Sequence, residues 1–197
     1  MAFRVANRAA FADWHNAPVP SFGDPAARLL IVGLAPGLRG ANRTGRPFTG
    51  DHAGELLYAT LRRFGFARGR YRARPDDELE LIDCRITNAV RCVPPENRPL
   101  GGEVTACRRF LAGELNDPPA PALVLALGGI AHASVLRALG QSARRYPFTH
   151  GALYRTGDGR TLAPSYHCSR YNLNTGRLTP AMFERVFAEV RNALGPQ

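Results

Sequence analysis

An α/β domain of parallel strands joined by helices is the fold class this chain predicts, and three observations predict it. Short apolar runs alternate with amphipathic stretches along the whole length. Loops rich in glycine and polar residues follow the apolar runs, where parallel α/β folds carry their functional groups. The size, 197 residues with 45% hydrophobic and 21% charged side chains, suits one self-folding domain with a sizeable core, expected to span residues 1–197.

The elements follow in order. Residues 11–25, with their prolines, read as an irregular lead-in. Arg28-Leu29-Leu30-Ile31-Val32 is a buried strand, and residues 33–50 form a Gly/Pro/Asn/Thr-rich loop. Residues 51–64 carry a helix whose apolar face includes Leu56, Leu57, Leu61 and Phe64. A second strand is expected over 82–90, then a proline loop over 93–99 and a helix from about Glu103 to Leu115. The Pro118-Pro119-Ala120-Pro121 connector delivers a strongly apolar strand over 122–127, followed by Gly128-Gly129 and a helix through about Leu139. A fourth strand near 161–163 leads into a loop over 167–179, and Pro180 opens a final helix to about Leu194.

Charge points to a partner. There are 26 basic against 16 acidic residues, every basic one is arginine, and the net charge is +10. Arginine presents a planar fork of donors suited to phosphate, so nucleic acid is the natural guess, although G/C-rich codons could equally explain the missing lysine. No run approaches the ~18 apolar residues of a membrane span, and Met1-Ala2-Phe3-Arg4 leads into no signal-like segment, so a cytoplasmic protein without membrane contact is expected. In that compartment Cys84, Cys92, Cys107 and Cys168 are expected as metal ligands or buried thiols rather than disulfides; no CxxC occurs among them.

Three stretches carry the chemistry. The loop from Gly33 to Asp51 has neither a Walker nor a Rossmann signature, but its glycines permit close backbone approach to a ligand, and Asn42, Arg43 and Thr44 can grip phosphates and bases. The second stretch is Arg85-Ile86-Thr87-Asn88-Ala89-Val90-Arg91-Cys92, with Val93-Pro94-Pro95-Glu96-Asn97 beyond it. The third runs from His167-Cys168-Ser169-Arg170-Tyr171-Asn172 through Leu173-Asn174-Thr175 to Thr179. Taken together and in this order, over essentially the whole chain, they resemble family 5, or type B, of the uracil-DNA glycosylases.

The resemblance implies a three-layer α/β/α domain around a four-stranded, mostly parallel sheet, matching the four strands counted above. It implies hydrolysis of the N-glycosidic bond of uracil in single- or double-stranded DNA for base excision repair, with hypoxanthine or xanthine as further possible bases. Such an enzyme must extrude the nucleotide, hold the base, stabilise the leaving anion and supply water. Asn88 is the candidate for the N3-H and O4 edge that separates uracil from cytosine. Phe48 is expected to stack on the base, and Gly33, Ala35 and Gly37 to line its pocket. His167 is the candidate donor to the uracil oxygen. Leu34 and Ala35 stand where other glycosylase families carry a water-activating acid or amide, so the acid next in line, Asp51, is the candidate for positioning water. Asp51 is also well suited to cap the helix it precedes, and one residue is not expected to fill both roles easily. Ser169, Arg170, Tyr171, Asn172, Asn174 and Thr175 are expected to contact DNA, with Tyr171 or Leu173 filling the gap left by the flipped base.

The family generally binds a 4Fe-4S cluster through four cysteines. Cys92 and Cys107 match the second pair, and the near-terminal pair has no counterpart in these residues. Cys84 is a poor substitute, since eight extended steps put it ~26 Å from Cys92; the same argument does not exclude Cys168. An assembled cluster is therefore not expected in this chain. Two other readings stand beside the enzyme: a uracil- or abasic-site DNA-binding protein with little turnover, and a zinc protein using Cys92, Cys107 and the His167/Cys168 pair without recognisable finger spacing. Nothing in the sequence demands more than a monomer.

Overall fold

The computed structural model describes residues 2–195. In chain order the elements are α1 (Ala2–Ala10), β1 (Phe22–Gly23), β2 (Leu29–Gly33), α2 (Ala41–Thr44), α3 (His52–Arg63), β3 (Ala67–Arg68), β4 (Glu80–Leu81) and β5 (Cys84–Asn88). They continue with α4 (Gly101–Asn116), β6 (Leu123–Leu127), α5 (Gly129–Ala138), β7 (Tyr154–Arg155), β8 (Thr161–Ser165), α6 (Arg170–Asn174) and α7 (Pro180–Leu194).

The main sheet runs β1-β5-β2-β6-β8-β7. Its four inner strands are parallel, with Ile31 opposite Ile86 on one side and Leu125 on the other, and Leu125 opposite Ala163. The count expected from sequence is corrected here from four to six, because β1 and β7 pair antiparallel along the edges. Each is two residues long, too short to leave a periodic signal. Pro164 lies inside β8, where its missing N–H is tolerated because β7 pairs only with Thr161 and Leu162.

Alternation along the strands builds two cores. Leu29, Ile31, Leu123, Leu125 and Leu127 face one side and pack with Leu57, Leu61, Phe183 and Phe187 of α3 and α7. Leu30, Val32, Val124 and Ala126 face the other and pack with Leu111, Leu115, Val135 and Leu136 of α4 and α5. The two central strands, β2 and β6, are thus buried on both faces, which is why they read as unbroken apolar runs. Three layers result.

Several shorter elements were not expected. α1 precedes the lead-in, α2 interrupts the loop after β2, and α6 interrupts the loop after β8. β3 and β4 form a small separate hairpin over a stretch rich in charged residues. The long helices fall close to their expected places. Asp51 and Phe64 turn out to be the caps of α3 rather than members of it.

Sheet topology creates the crevice. After β2 the chain leaves through α3 on one face, and after β6 it leaves through α5 on the other. The loops that follow these neighbouring strands therefore part at their carboxyl ends, the place where open α/β sheets bind ligands.

Candidate active site

A cleft of about 730 Å³ opens at that place. Its walls come from the ends of all four inner strands: Leu34, Ala35 and Gly37 after β2, Asn88 at the end of β5, Leu127 to Ala131 across the start of α5, and His167, Ser169 and Arg170 after β8. Phe48, Asp51, His52 and Ala53 close it from the side of α3.

Asn88 is 6% exposed, and its carboxamide makes no hydrogen bond with other described residues, so its amide edge is left for a ligand. It sits beside Gly33 and Phe48. A Cβ on Gly33 would overlap both Asn88 Oδ1 and the Phe48 ring, so this glycine is required by close approach rather than by a turn. The Phe48 ring lies roughly parallel to His167, centroids 5.7 Å apart at 25°. Together they make two adjoining flat surfaces against which a planar base could rest.

Burial pushes the His167 imidazole down to about 4, so the ring is neutral at pH 7 and keeps one N–H to donate. Its backbone is held from the next turn, where Asn172 Nδ2 donates to the His167 carbonyl at 2.8 Å. Cys168 is fully buried, and its thiol donates to the Ala53 carbonyl at 3.4 Å, tying this loop to the start of α3.

Asp51 fills the cap position of α3, where Oδ1 accepts the Gly54 N–H at 3.2 Å. Its other oxygen lies against Gly37 and Gly40 on the cleft side, and a Cβ on Gly40 would overlap it. Capping and facing the cleft are therefore compatible, contrary to expectation, because a carboxylate has one oxygen for each. Burial raises the Asp51 pKa above the ordinary carboxylate value, opposed by the backbone N–H groups of Gly54 and Ala53 and by nearby His52.

The expected DNA-contacting residues divide. Asn42 is corrected: it is fully buried, and its Nδ2 donates to Asn16 Oδ1 at 2.9 Å, so it braces the loop from behind and cannot reach DNA from there. Thr44 is half-buried and spends its hydroxyl inside the same loop, on the carbonyls of Gly40 and Thr49, whereas Arg43 is exposed. On α6, Ser169 caps the helix by accepting the Asn172 N–H, and Asn172 serves His167. Arg170, Tyr171, Asn174 and Thr175 are exposed, Tyr171 at 71%. Leu173 packs against the core, so of the two gap-filling candidates only Tyr171 projects outward.

Sequence reasoning missed the start of α5. Gly128, Gly129 and half-exposed Ile130 line the cleft, and the glycine pair was visible only as a helix entrance. It also missed Asn97, which reaches the cleft from the end of the Val93-Pro94-Pro95-Glu96-Asn97 motif. Gly54 was unmarked as well, although a Cβ there would overlap the Phe48 carbonyl oxygen.

Among the described residues the four cysteines are spread over the fold. Cys84 and Cys168 are fully buried in the α3/α7 core, leaving Cys92 and Cys107 half-buried elsewhere. No group of three or more potential metal ligands occurs among the described residues. Cys92 and Cys107 by themselves supply two of the four thiolates that a 4Fe-4S cluster needs.

Comparison with known proteins gives the site its context. The family model described as "Uracil DNA glycosylase superfamily" matches residues 20–191. The chain is 47% identical over 178 residues to a protein of Thermus thermophilus named Type-5 uracil-DNA glycosylase, covering 90% of this chain and 81% of that one. It is 45% identical over 196 residues to a protein of the same name from Mycobacterium leprae, covering 97% and 85%. A Type-4 uracil-DNA glycosylase of Pyrobaculum aerophilum is more distant, 35% identical over 153 residues. A family match over most of the length, close relatives that share it, and a parallel-sheet cleft holding the residues described above agree, and this chain belongs to the uracil-DNA glycosylase superfamily.

Proposed function

We infer that this protein is a DNA glycosylase that hydrolyses the bond between uracil and deoxyribose. The observation that carries the reading is the meeting of Asn88, Phe48, His167 and Asp51, drawn from three separate stretches of sequence, around one cleft. Uracil offers a donor at N3 and an acceptor at O4, which suits the acceptor and donors of one carboxamide; cytosine reverses the pattern at that edge and meets Asn88 unfavourably.

With the base held by Asn88 and stacked on Phe48, the bond between N1 and C1′ breaks as negative charge gathers on the uracil oxygens. Neutral His167 donates its N–H to that charge; a donor fixed beforehand in a largely dry cleft needs no reorganisation at the moment of reaction. Asp51 holds a water for C1′ through its cleft-side oxygen. That water's oxygen bonds to C1′, and its proton leaves by the carboxylate and in the end neutralises the uracil anion, so the products are uracil and an abasic sugar. Leu34 and Ala35 border the base site with no group able to activate water, which leaves that duty to Asp51.

Exposed Arg170 and Arg43, with the start of α5, suit phosphate contacts on either side of the flipped nucleotide. The same reading takes the enzyme as a cytoplasmic monomer acting on double- or single-stranded DNA, with hypoxanthine and xanthine as further substrates of a roomy cleft. Among the described residues no helix is long and apolar enough to cross a membrane.

Single-turnover release of base from DNA carrying one uracil tests the reading. The expected result is release from uracil-DNA and none from the matching cytosine-DNA, with Asn88→Ala slower by about 10²-fold or more. Tight binding of uracil-DNA without base release would instead favour a damage-binding protein.

A further inference from the structure

Phe48 has φ 53°, in the left-handed region that an aromatic L-residue seldom adopts. Such a residue persists only where its surroundings over-determine it. Here three consecutive carbonyls are each taken by a side-chain hydroxyl. Tyr58 donates to the Pro47 oxygen at 2.6 Å, Tyr71 to the Phe48 oxygen at 3.3 Å and Thr44 to the Thr49 oxygen at 3.0 Å. Gly54 leaves the space in which the Phe48 carbonyl fits.

Behind this turn stands an ion pair. Arg46 donates through Nη1 and Nη2 to the two oxygens of Asp77, at 2.7 and 2.9 Å, and through Nε to Thr49 Oγ1 at 2.8 Å. Its guanidinium also lies 5.0, 5.6 and 5.9 Å from the ring centres of Phe22, Tyr58 and Tyr71. The two charged side chains are only 6% and 0% exposed. A buried ion pair is no more stabilising than apolar side chains of the same volume, so its use here points to geometry. Asp77 and Tyr71 both come from the segment that joins β3 to β4. Within it, Asp77 is itself fixed by the N–H groups of Arg72 and Leu79.

We propose that Arg46, Asp77 and Tyr71 are positioning residues that set the depth and tilt of the Phe48 ring for stacking on the extruded base. The β3–β4 segment, which contributes nothing to the cleft lining, thereby acts on the reaction through Phe48. The proposal rests on the reading of Phe48 as the stacking surface.

The test compares wild type, Phe48→Ala, Tyr71→Phe, their combination, and the double variant Arg46→Met/Asp77→Leu, which replaces the ion pair with apolar volume. Single-turnover uracil release at saturating enzyme is measured beside Tm and affinity for abasic-site DNA, which has no base to stack. Tyr71→Phe and the ion-pair replacement are each expected to slow release by about 10- to 100-fold while abasic-site affinity stays at the wild-type value. In the Phe48→Ala background, Tyr71→Phe is expected to cost nothing further, because its effect passes through that ring. An equal loss in both backgrounds, or a wild-type rate in Tyr71→Phe, overturns the proposal. If Phe48→Ala itself releases uracil at the wild-type rate, the stacking reading has failed, and the proposal with it. Should the ion-pair replacement not fold, the Tyr71→Phe and Phe48→Ala comparison decides alone.

Discussion

Asp51 carries a cap and a cleft-facing oxygen on one carboxylate, and the two duties pull stability in opposite directions. Burial raises its pKa above the ordinary value. A carboxyl raised in the folded state holds its proton more firmly there than in the unfolded chain. Its contribution to stability is therefore greatest in acid and is lost as pH rises through the folded pKa, so the charged form is a burden at pH 7. Asparagine keeps the capping oxygen without the charge. Asp51→Asn is expected to melt above wild type at pH 7, with the gap closing in acid, while base release slows by about 10²- to 10⁴-fold. Calorimetry beside single-turnover kinetics checks both; a lower Tm in Asp51→Asn would mean that the carboxylate is not strained by burial.

At the scale of the element, α6 divides its residues by direction. Leu173 belongs to the core, whereas Arg170 and Tyr171 face outward beside the cleft. Arg170→Ala is expected to weaken binding alike across DNA sequences and to reduce the salt slope by about 1, as loss of one phosphate contact should. Filter binding at several salt concentrations reads this directly, and an unchanged slope removes Arg170 from the interface. Tyr171→Ala is expected to slow release from duplex more than from single strands, since only a duplex leaves a stacked gap to fill. Leu173→Ala should instead lower folding stability by roughly 1–2 kcal/mol, read as a lower Tm, with no such strand preference. The elements carrying Cys92 and Cys107 lead to another measurement. Because Cys84 and Cys168 are committed to the core, the 197-residue chain is expected to purify without stoichiometric iron and sulfide. Finding them would mean that ligands beyond this pair complete a site.

For the whole molecule, three histidines that are buried or half-buried share one consequence. His132 and His150 are lowered by burial, and His167 more strongly, to about 4. A histidine lowered in the folded state favours folding while neutral. Its contribution is complete above the unfolded value of 6.5 and is lost as pH falls towards the folded one. Tm is therefore expected to drop as pH goes from about 6.5 to 4, and His167→Gln to make that drop shallower without abolishing it. An identical slope in His167→Gln would show that His167 is not held neutral by burial.

The sequence by itself determined the layered α/β class, the four inner strands, the long helices and the strand-end location of the chemistry. Those features depend on local periodicity, and two-faced burial makes the central strands β2 and β6 unbroken apolar runs, as in Leu29 to Val32. Motif order offered Asn88, Phe48, Asp51 and His167 as candidates, and the fold brings them to one cleft. Tertiary structure decided the rest, because it depends on which surfaces meet. Asn42 and Arg43 are neighbours of like polarity, yet one is sealed against Asn16 and the other is in solvent. Gly54 looked like an ordinary helix glycine until Phe48 was packed over it, and Gly33, expected to line the pocket, is also required by the close approach of Asn88 and Phe48. β1 and β7 carry no pattern of their own and become strands only because a neighbouring edge offers them hydrogen bonds. Asp77 was one more acid in a charged stretch, and only the fold brought it to Arg46, 31 residues away, beneath the turn that presents Phe48.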